Sequence, residues 1–228
     1  MATLLHIDTA LEVASIALSI EDRFVDDRTN SIQNDHAAWL HKAIDELLTK
    51  NNCTTRDLDA IAVTIGPGSY TGLRVGLSTA KGLCYALQRP LITLSSLQLL
   101  ASVTDVSGLI TEDPVSAEVL ICPLIDARRM EVYYAFYDQH LQELSAPAAL
   151  VLDQNSFVDT LAHKKIIFCG NATEKFKKLG RHPHAFFADR LAGAREMAPL
   201  AFKKFVKKDF ADLAYSTPEY VKEFETRK

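Results

Sequence analysis

Two aspartates at the ends of apolar runs are the residues of this sequence best placed for acid chemistry. Asp8 ends the run 3–7 and Asp126 ends the run 119–125, and an alternating stretch typical of a second strand follows each of them. Aspartate is also favoured in turns for its local hydrogen bonds, so a structural role is the alternative. Neither turn contains glycine, since Thr9-Ala10-Leu11 follows Asp8 and Ala127-Arg128-Arg129 follows Asp126. The backbone of each turn is therefore poorly suited to a close approach to a phosphate group.

Histidine is the next candidate, because the chain has seven of them. His36 and His41 are five residues apart on a predicted helix, which places them about 140° apart around its axis. A helical zinc pair stands four residues apart. The sequence therefore predicts no metal site, and we expect no cofactor.

A glycine-rich turn lies between a predicted strand, 60–65, and a predicted helix that Pro90 ends. Gly66-Pro67-Gly68 is typical of a turn, and the free N–H groups of a following helix can bind an anion. The motif is not a P-loop, because Leu73 stands where lysine is required. Ser69 also lacks the flanking glycines of a nucleophile elbow.

Small residues form one line along this helix, since Gly72, Gly76, Ala80 and Cys84 are each four apart. A glycine inside a helix costs about 1 kcal/mol relative to alanine, which suggests that another backbone approaches closely. Tight packing on the chain's own sheet is the interpretation that this feature alone favours. A contact with a helix of another subunit is the alternative.

Composition bounds the class of protein. The chain has 228 residues, 48% hydrophobic and 24% charged, with a net charge of −4, so its overall charge does not attract nucleic acid. Four scattered cysteines predict reduced thiols in a cytoplasmic protein. Because Asp8 interrupts the first apolar run, we expect no signal peptide, and no segment has the length of a membrane span.

The predicted elements repeat in order along the chain. Strands at 3–7, 13–20 and 24–25 precede an amphipathic helix at 34–50, and after the elements at 60–65 and 72–87 come a strand at 91–94 and a helix at 95–103. The segment 105–117 predicts a boundary between a first lobe, 1–104, and a second, smaller lobe, 105–228. A basic helix near 194–208 is expected in the second lobe and could pack back on the first.

The run DLDAIAVTIGPGSYTGLRVGLSTAKGLCYALQRPLITLSSLQLLA resembles the TsaB/YeaZ family almost from end to end. The resemblance continues in DARRMEVY at 126–133 and PEYV at 218–221, and it covers nearly the whole chain. GPGSYTGLR is highly specific to this family and its catalytic paralogue.

The resemblance implies an α/β fold with two lobes, the actin-like (ASKHA, ribonuclease H-like) fold of duplicated βββαβα units. In active members two hairpin turns grip ATP, so Asp8, Thr9 and Asp126 are expected to mark vestigial nucleotide turns. The family is the dimerisation subunit of the bacterial machinery that makes N6-threonylcarbamoyladenosine (t6A) in tRNA. The implied partners are a TsaD-type threonylcarbamoyl transferase subunit, which this chain would activate, and a TsaE-type P-loop ATPase. A homodimer in isolation, tRNA contact only through the complex and no contact with a membrane are also expected.

An enzyme on the same fold is the alternative, either an ATP-dependent phosphotransferase or a glycoprotease-like metal hydrolase. The catalytic paralogue carries His-x-x-x-His after the strand that corresponds to 91–94, whereas this chain has Ser95-Ser96-Leu97-Gln98-Leu99 there. This departure argues against metal-dependent peptidase or transferase activity.

The resemblance places the partner surface on the helices 34–50 and 72–87. The expected interface residues are His36, Trp39, Leu40, Ala43, Leu47, Gly72, Leu73, Gly76, Thr79, Ala80 and Leu83. Four lysines of the basic helix, Lys203, Lys204, Lys207 and Lys208, are interpreted as a solvated face, with an RNA or partner patch as the alternative.

Overall fold

The computed structural model describes residues 1–32, 36–108 and 119–222. The predicted helix start at Asn34 and Asp35, most of the predicted boundary 105–117, and Phe224 lie outside these ranges. Contacts divide the chain into a first unit, Met1–Leu99 with Gly193–Glu219, and a second unit, Leu100–Ala192 with the described residues from Tyr220 on. The predicted lobe limits, 1–104 and 105–228, stay a prediction.

The first unit is built on a sheet of five strands. They are β1 (Thr3–Asp8), β2 (Ala14–Ile20), β3 (Arg23–Asn30), β4 (Ala60–Gly66) and β5 (Leu91–Ser95), in the order β3-β2-β1-β4-β5. The first three strands form an antiparallel meander, and β4 and β5 run parallel to β1. Asp8 is the last residue of β1, and the short hairpin turn to β2 begins directly after it. The sheet therefore fixes the position of Asp8 and of this turn.

Two helices connect strands of this sheet, α1 (His36–Lys50) between β3 and β4 and α2 (Tyr70–Leu87) between β4 and β5, and a third helix, α3 (Ser96–Ser102), follows β5. A 3-10 turn at Thr55–Asp57 follows α1. Leu40 and Leu47 of α1 pack with Leu5 and Ile7 of β1 and with Leu77 of α2 in one buried core. The apolar faces predicted for both helices therefore meet the sheet of their own unit.

The second unit repeats the plan of the first. Its strands are β6 (Val119–Asp126), β7 (Glu131–Tyr134), β8 (Ala148–Val151), β9 (Lys165–Cys169) and β10 (Ala185–Ala188), in the order β10-β9-β6-β7-β8. Two short helices, α4 (Val158–Leu161) and α5 (Thr173–Lys177), belong to this unit, and Phe168 is packed 4.8 Å from Phe176 and 5.2 Å from Phe157 in its core, measured between ring centroids. The equivalent strand orders confirm the duplicated fold.

The chain then returns to the first unit. A 3-10 turn at Ala194–Met197 leads into α6 (Ala198–Lys207), so the helix predicted at 194–208 begins four residues later. The Ala194 amide donates a hydrogen bond of 2.8 Å to Oγ of Ser15, which lies on the face of β2 opposite Ile16 and the main core. This return covers the second face of the first sheet.

The residues 211–219, here called the C-terminal segment, run along the same unit. The Ala211 amide donates to the Leu91 carbonyl at 2.9 Å, and the Glu219 amide donates to the Ile65 carbonyl at 2.7 Å. Lys81 of α2 donates to the carbonyls of Ala214 and Ser216, each at 3.1 Å. Among the helices of the described residues, none is long and apolar enough to cross a bilayer.

Candidate functional site

The glycine turn after β4 is held against the hairpin turn that follows β1. The Ser69 amide donates to the Ala10 carbonyl at 2.7 Å, and a Cβ atom at Gly68 would collide with that same carbonyl oxygen. Ser69 also caps α2, because its Oγ accepts a hydrogen bond of 3.2 Å from the Gly72 amide. Glycine is therefore required at Gly68 by a close approach within this chain.

The line of small residues on α2 meets the same hairpin turn. A Cβ atom at Gly72 would overlap the Thr9 carbonyl oxygen, and one at Gly76 would overlap the Thr9 hydroxyl. That hydroxyl donates a hydrogen bond of 2.6 Å to the Gly72 carbonyl. Packing inside the chain accounts for both glycines, which is the interpretation that the spacing alone favoured.

Asp8 is enclosed by this packing and is only 3% exposed. Its Oδ1 accepts hydrogen bonds from the Thr64 hydroxyl at 2.6 Å and from the Ala10 amide at 3.1 Å. Burial raises the pKa of this carboxyl, opposed by the two hydrogen bonds. Asp8 and Thr9 thus fasten the hairpin turn to β4 and α2.

Asp126 occupies the equivalent strand end of the second unit in a different environment. It is exposed, and its Oδ1 accepts a hydrogen bond of 2.6 Å from the Arg128 amide and lies 2.7 Å from Nζ of Lys175. The Asp126 amide donates to the side-chain oxygen of Asn171 at 2.9 Å. The Asp126 side chain therefore takes part in a turn hydrogen bond and one ion pair, as a structural residue does.

The buried thiols are poor nucleophiles. Burial raises the pKa of Cys84 to about 12 and that of Cys169 to about 11, so both are protonated at neutral pH. No group of three or more histidine, cysteine or acidic residues within the described ranges is arranged to hold a metal ion.

The predicted interface residues fall into two sets. Eight are buried in the first unit by its own packing: Leu40, Ala43, Leu47, Gly72, Leu73, Gly76, Thr79 and Ala80. Three are partly exposed: His36, Trp39 and Leu83. A partner bound to α1 and α2 would therefore contact His36, Trp39 and Leu83 and the exposed residues next to them.

The outward side of α2 carries small and aromatic residues that sequence reasoning missed. Ser78, Gly82 and Ala86 are exposed and four residues apart, and Tyr85 beside them is 73% exposed. On α1 the exposed positions include Ala37 and Ala38, both small.

Gly82 is the unusual member of this line. A Cβ atom there would meet no atom within 4 Å, and its backbone angles are not in the left-handed region. It lies inside an 18-residue helix, where glycine costs about 1 kcal/mol relative to alanine. Its four-residue spacing from Ser78 is visible in the sequence, but spacing alone does not show that this line faces outward.

Comparisons with known proteins agree on one family. Residues 29–228 match the family model described as TsaD, tRNA N6-adenosine threonylcarbamoyltransferase. The chain is 32% identical over 183 residues to a Bacillus subtilis tRNA threonylcarbamoyladenosine biosynthesis protein TsaB, covering 78% of this chain and 74% of the relative. It is 26% identical to the Escherichia coli protein of the same name, covering 96% of this chain and 94% of the relative.

A solved structure from Pseudomonas aeruginosa is similar along the whole chain. It is described as an uncharacterized protein with similarity to peptidase YEAZ, and it superposes with a TM-score of 0.78 at 28% identity. The match covers 97% of this chain and all of the other.

Proposed function

Since the chain belongs to the TsaB/YeaZ family, we propose that it takes part in t6A synthesis on tRNA as a non-catalytic subunit. In this role it binds and activates a TsaD-type threonylcarbamoyl transferase subunit, and a TsaE-type ATPase binds the pair. The chain forms a homodimer through the same surface when the transferase subunit is absent. It acts in the cytoplasm, and tRNA reaches the complex chiefly through the partner.

The acid at the first hairpin turn supports a non-catalytic role. Oδ1 of Asp8 is engaged by Thr64 and Ala10, and Thr9 is committed to the Gly72 carbonyl, so these polar groups serve the packing of the turn. A general acid or base must reach a reacting atom within hydrogen-bond distance. The residues at the end of β5 and just after it, Ser95 to Leu99, also lack the histidine pair of the catalytic paralogue.

The observation that carries the proposal is Gly82 on the outward side of α2. Helices approach one another at distances set by the side chains at their contact, so a line of small residues permits a close approach. The line Ser78, Gly82 and Ala86 lies on the exposed side of the helix, and no packing in the described residues explains the glycine. We assign the partner interface to this line and Tyr85, together with the exposed small residues of α1.

Gly82→Leu tests the assignment. The substitution improves helix propensity and meets open space, so the isolated fold should gain up to about 1 kcal/mol in free energy of unfolding. The added side chain should prevent close helix contact and weaken both self-association and binding of the transferase subunit at least tenfold. Sedimentation analysis measures each assembly, and thermal unfolding of the isolated chain at a concentration where it is monomeric measures the stability of the fold.

Gly82→Ala serves as the graded control, because it adds one methyl group and should weaken assembly less than leucine does. Unchanged self-association and unchanged binding of the transferase subunit by the Gly82→Leu protein would place the interface on another surface.

A further inference from the structure

Helix α6 exposes three lysines for which no ion pair is found among the described residues. Lys203, Lys207 and Lys208 are exposed, whereas the fourth, Lys204, lies 3.1 Å from Oδ2 of Asp209. Lys203 and Lys207 are one helical turn apart and therefore share a side of the helix. This side is a local concentration of positive charge on a chain whose net charge is −4.

The acids close to α6 in the chain are already engaged. Asp209 pairs with Lys204, and Oδ1 of Asp212 accepts hydrogen bonds from the amides of Ala214 and Tyr215 at 2.8 and 2.9 Å. Oε2 of Glu196 accepts a hydrogen bond of 2.9 Å from the Gly193 amide. None of these three acids forms an ion pair with Lys203, Lys207 or Lys208 in the described part of the chain.

Exposed apolar groups accompany the lysines. Val206 is 63% exposed between Lys203 and Lys207, and Phe210 is 39% exposed just after the helix. The ring of Phe210 lies 6.0 Å from that of Phe205, which holds it in place at the helix end.

Helix electrostatics explain only part of this arrangement. Cations are favoured in the last turn of a helix, which accounts for Lys207. Lys203 lies in the middle of α6, outside that effect. Lys208 adopts a left-handed backbone, φ 56°, at a position where glycine is the usual residue, so its side chain is kept at a conformational cost.

We propose that this basic face, made of Lys203, Lys207, Lys208 and Phe210, binds the sugar–phosphate backbone of RNA. Lysine is a mobile point charge suited to phosphate, and an exposed aromatic ring gives an unpaired base a surface on which to stack. The choice of RNA over an acidic protein rests on the proposed function in tRNA modification. The face adds an electrostatic contact to those of the catalytic subunit, and its affinity in isolation is weak because the rest of the chain repels phosphate.

The test is the salt dependence of RNA binding by a triple variant, Lys203→Gln with Lys207→Gln and Lys208→Gln. The probe is an unmodified tRNA transcript, titrated with the isolated full chain and with its assembly with the transferase subunit. Each lost phosphate contact lowers the slope of log Kobs against log salt by about 0.7 to 0.9, so the triple variant should lose about two to three in slope.

A second triple variant is the matched control. Arg56→Gln with Lys178→Gln and Arg181→Gln removes the same charge from exposed positions outside α6. Its slope should stay close to that of the wild type. Equal slopes for the two variants would overturn the proposal, since the effect would then be one of net charge.

Phe210→Ala separates stacking from charge. It should weaken binding of a single-stranded RNA several-fold and leave the salt slope unchanged, because it removes no positive charge. An unchanged affinity would remove Phe210 from the proposed face.

Two further outcomes are distinguishable. If the α6 variant keeps its tRNA slope but no longer binds a protein subunit of the complex, the face recognises an acidic protein, and the RNA proposal is wrong. If the wild-type chain fails to bind the transferase subunit, the proposed function fails, while the tRNA titration of the isolated chain still decides the role of α6.

Discussion

His6 is a fully buried histidine beside Asp8 on the same face of β1. Its Nε2 is 2.8 Å from Oγ of Ser19, and its Nδ1 has no hydrogen-bond partner within the described ranges. Burial lowers the pKa of His6 to about 3. The folded protein therefore keeps this ring neutral at pH values where the unfolded chain would protonate it.

The pH dependence of stability follows from that difference. The pKa of His6 in the folded protein lies below the unfolded value of 6.5. Its contribution to the free energy of unfolding is therefore complete above pH 6.5 and is lost as the pH falls towards 3. Between pH 6 and pH 5 the free energy of unfolding should fall by about 1 kcal/mol because of His6. In His6→Leu this part of the slope should disappear, with stability at pH 7 equal or higher because the unpaired Nδ1 is gone. Urea unfolding at several pH values measures it, and parallel profiles for the two proteins would contradict the assignment.

The sequence shows Asp8 as an acid at the end of a strand but does not show its surroundings. The residue type and the strand end were visible, whereas its enclosure depends on Thr64 and Ala10, which β4 and the hairpin turn bring to it. The same holds for Asp126, which looked equivalent in sequence and lies exposed beside Lys175. A hydrogen-bond environment is a tertiary property that strand patterns do not encode.

Helix α2 carries two lines of small residues that face different surroundings. Spacing of four residues shows which side chains share a side of a helix. It does not show what that side meets, so Gly76 and Gly82 could not be separated before the structure placed Thr9 against the first of them. Where the structure describes them, the bounds of α1, α2 and four of the first five strands were predicted within two residues, because each has a clear apolar period. The strand β3 was predicted at 24–25 but extends to Asn30, because its second half is polar.

Alanine at the two glycines should therefore have opposite effects. Gly76→Ala gains helix propensity but forces a methyl group onto the Thr9 hydroxyl, and overpacking of this kind lowers stability by about 1 to 3 kcal/mol. Gly82→Ala gains up to about 1 kcal/mol with no collision. Chemical denaturation of both variants and the wild type measures the difference. A gain in stability for Gly76→Ala would show that Thr9 moves aside without cost.

The whole molecule repeats one sheet plan, and the repeat was predictable from the two strand orders. The return of residues 193–219 to the first unit was harder to predict, because only local periodicity is visible in a sequence. The Ala194 amide reaches Ser15 across 179 positions of the chain. The predicted limit at residue 104 therefore separates segments that share one core.

A fragment ending at residue 104 should not fold cooperatively. It lacks Ala194, Met197 and Ala201, which are buried in the complete chain, and it leaves the Leu91 carbonyl without the Ala211 amide. Circular dichroism should show helix without a sharp unfolding transition, and a dye for exposed apolar surface should bind. A version with residues 193–222 attached through a glycine–serine linker is the control, and it should regain a cooperative transition. Cooperative unfolding of the short fragment would show that the first lobe is independent.

The return of the chain to its first unit has a consequence during protein synthesis. Domains generally fold as units as the chain emerges, beginning at the amino terminus. Here the strands β1 to β5 emerge first, but the segments that cover them, from Gly193 to Glu219, emerge only after all the strands of the second unit. The nascent chain must therefore carry an incompletely covered first sheet throughout the synthesis of the second unit. In the cell, the amino-terminal half would be the last part to reach its final form and the part that depends most on chaperones.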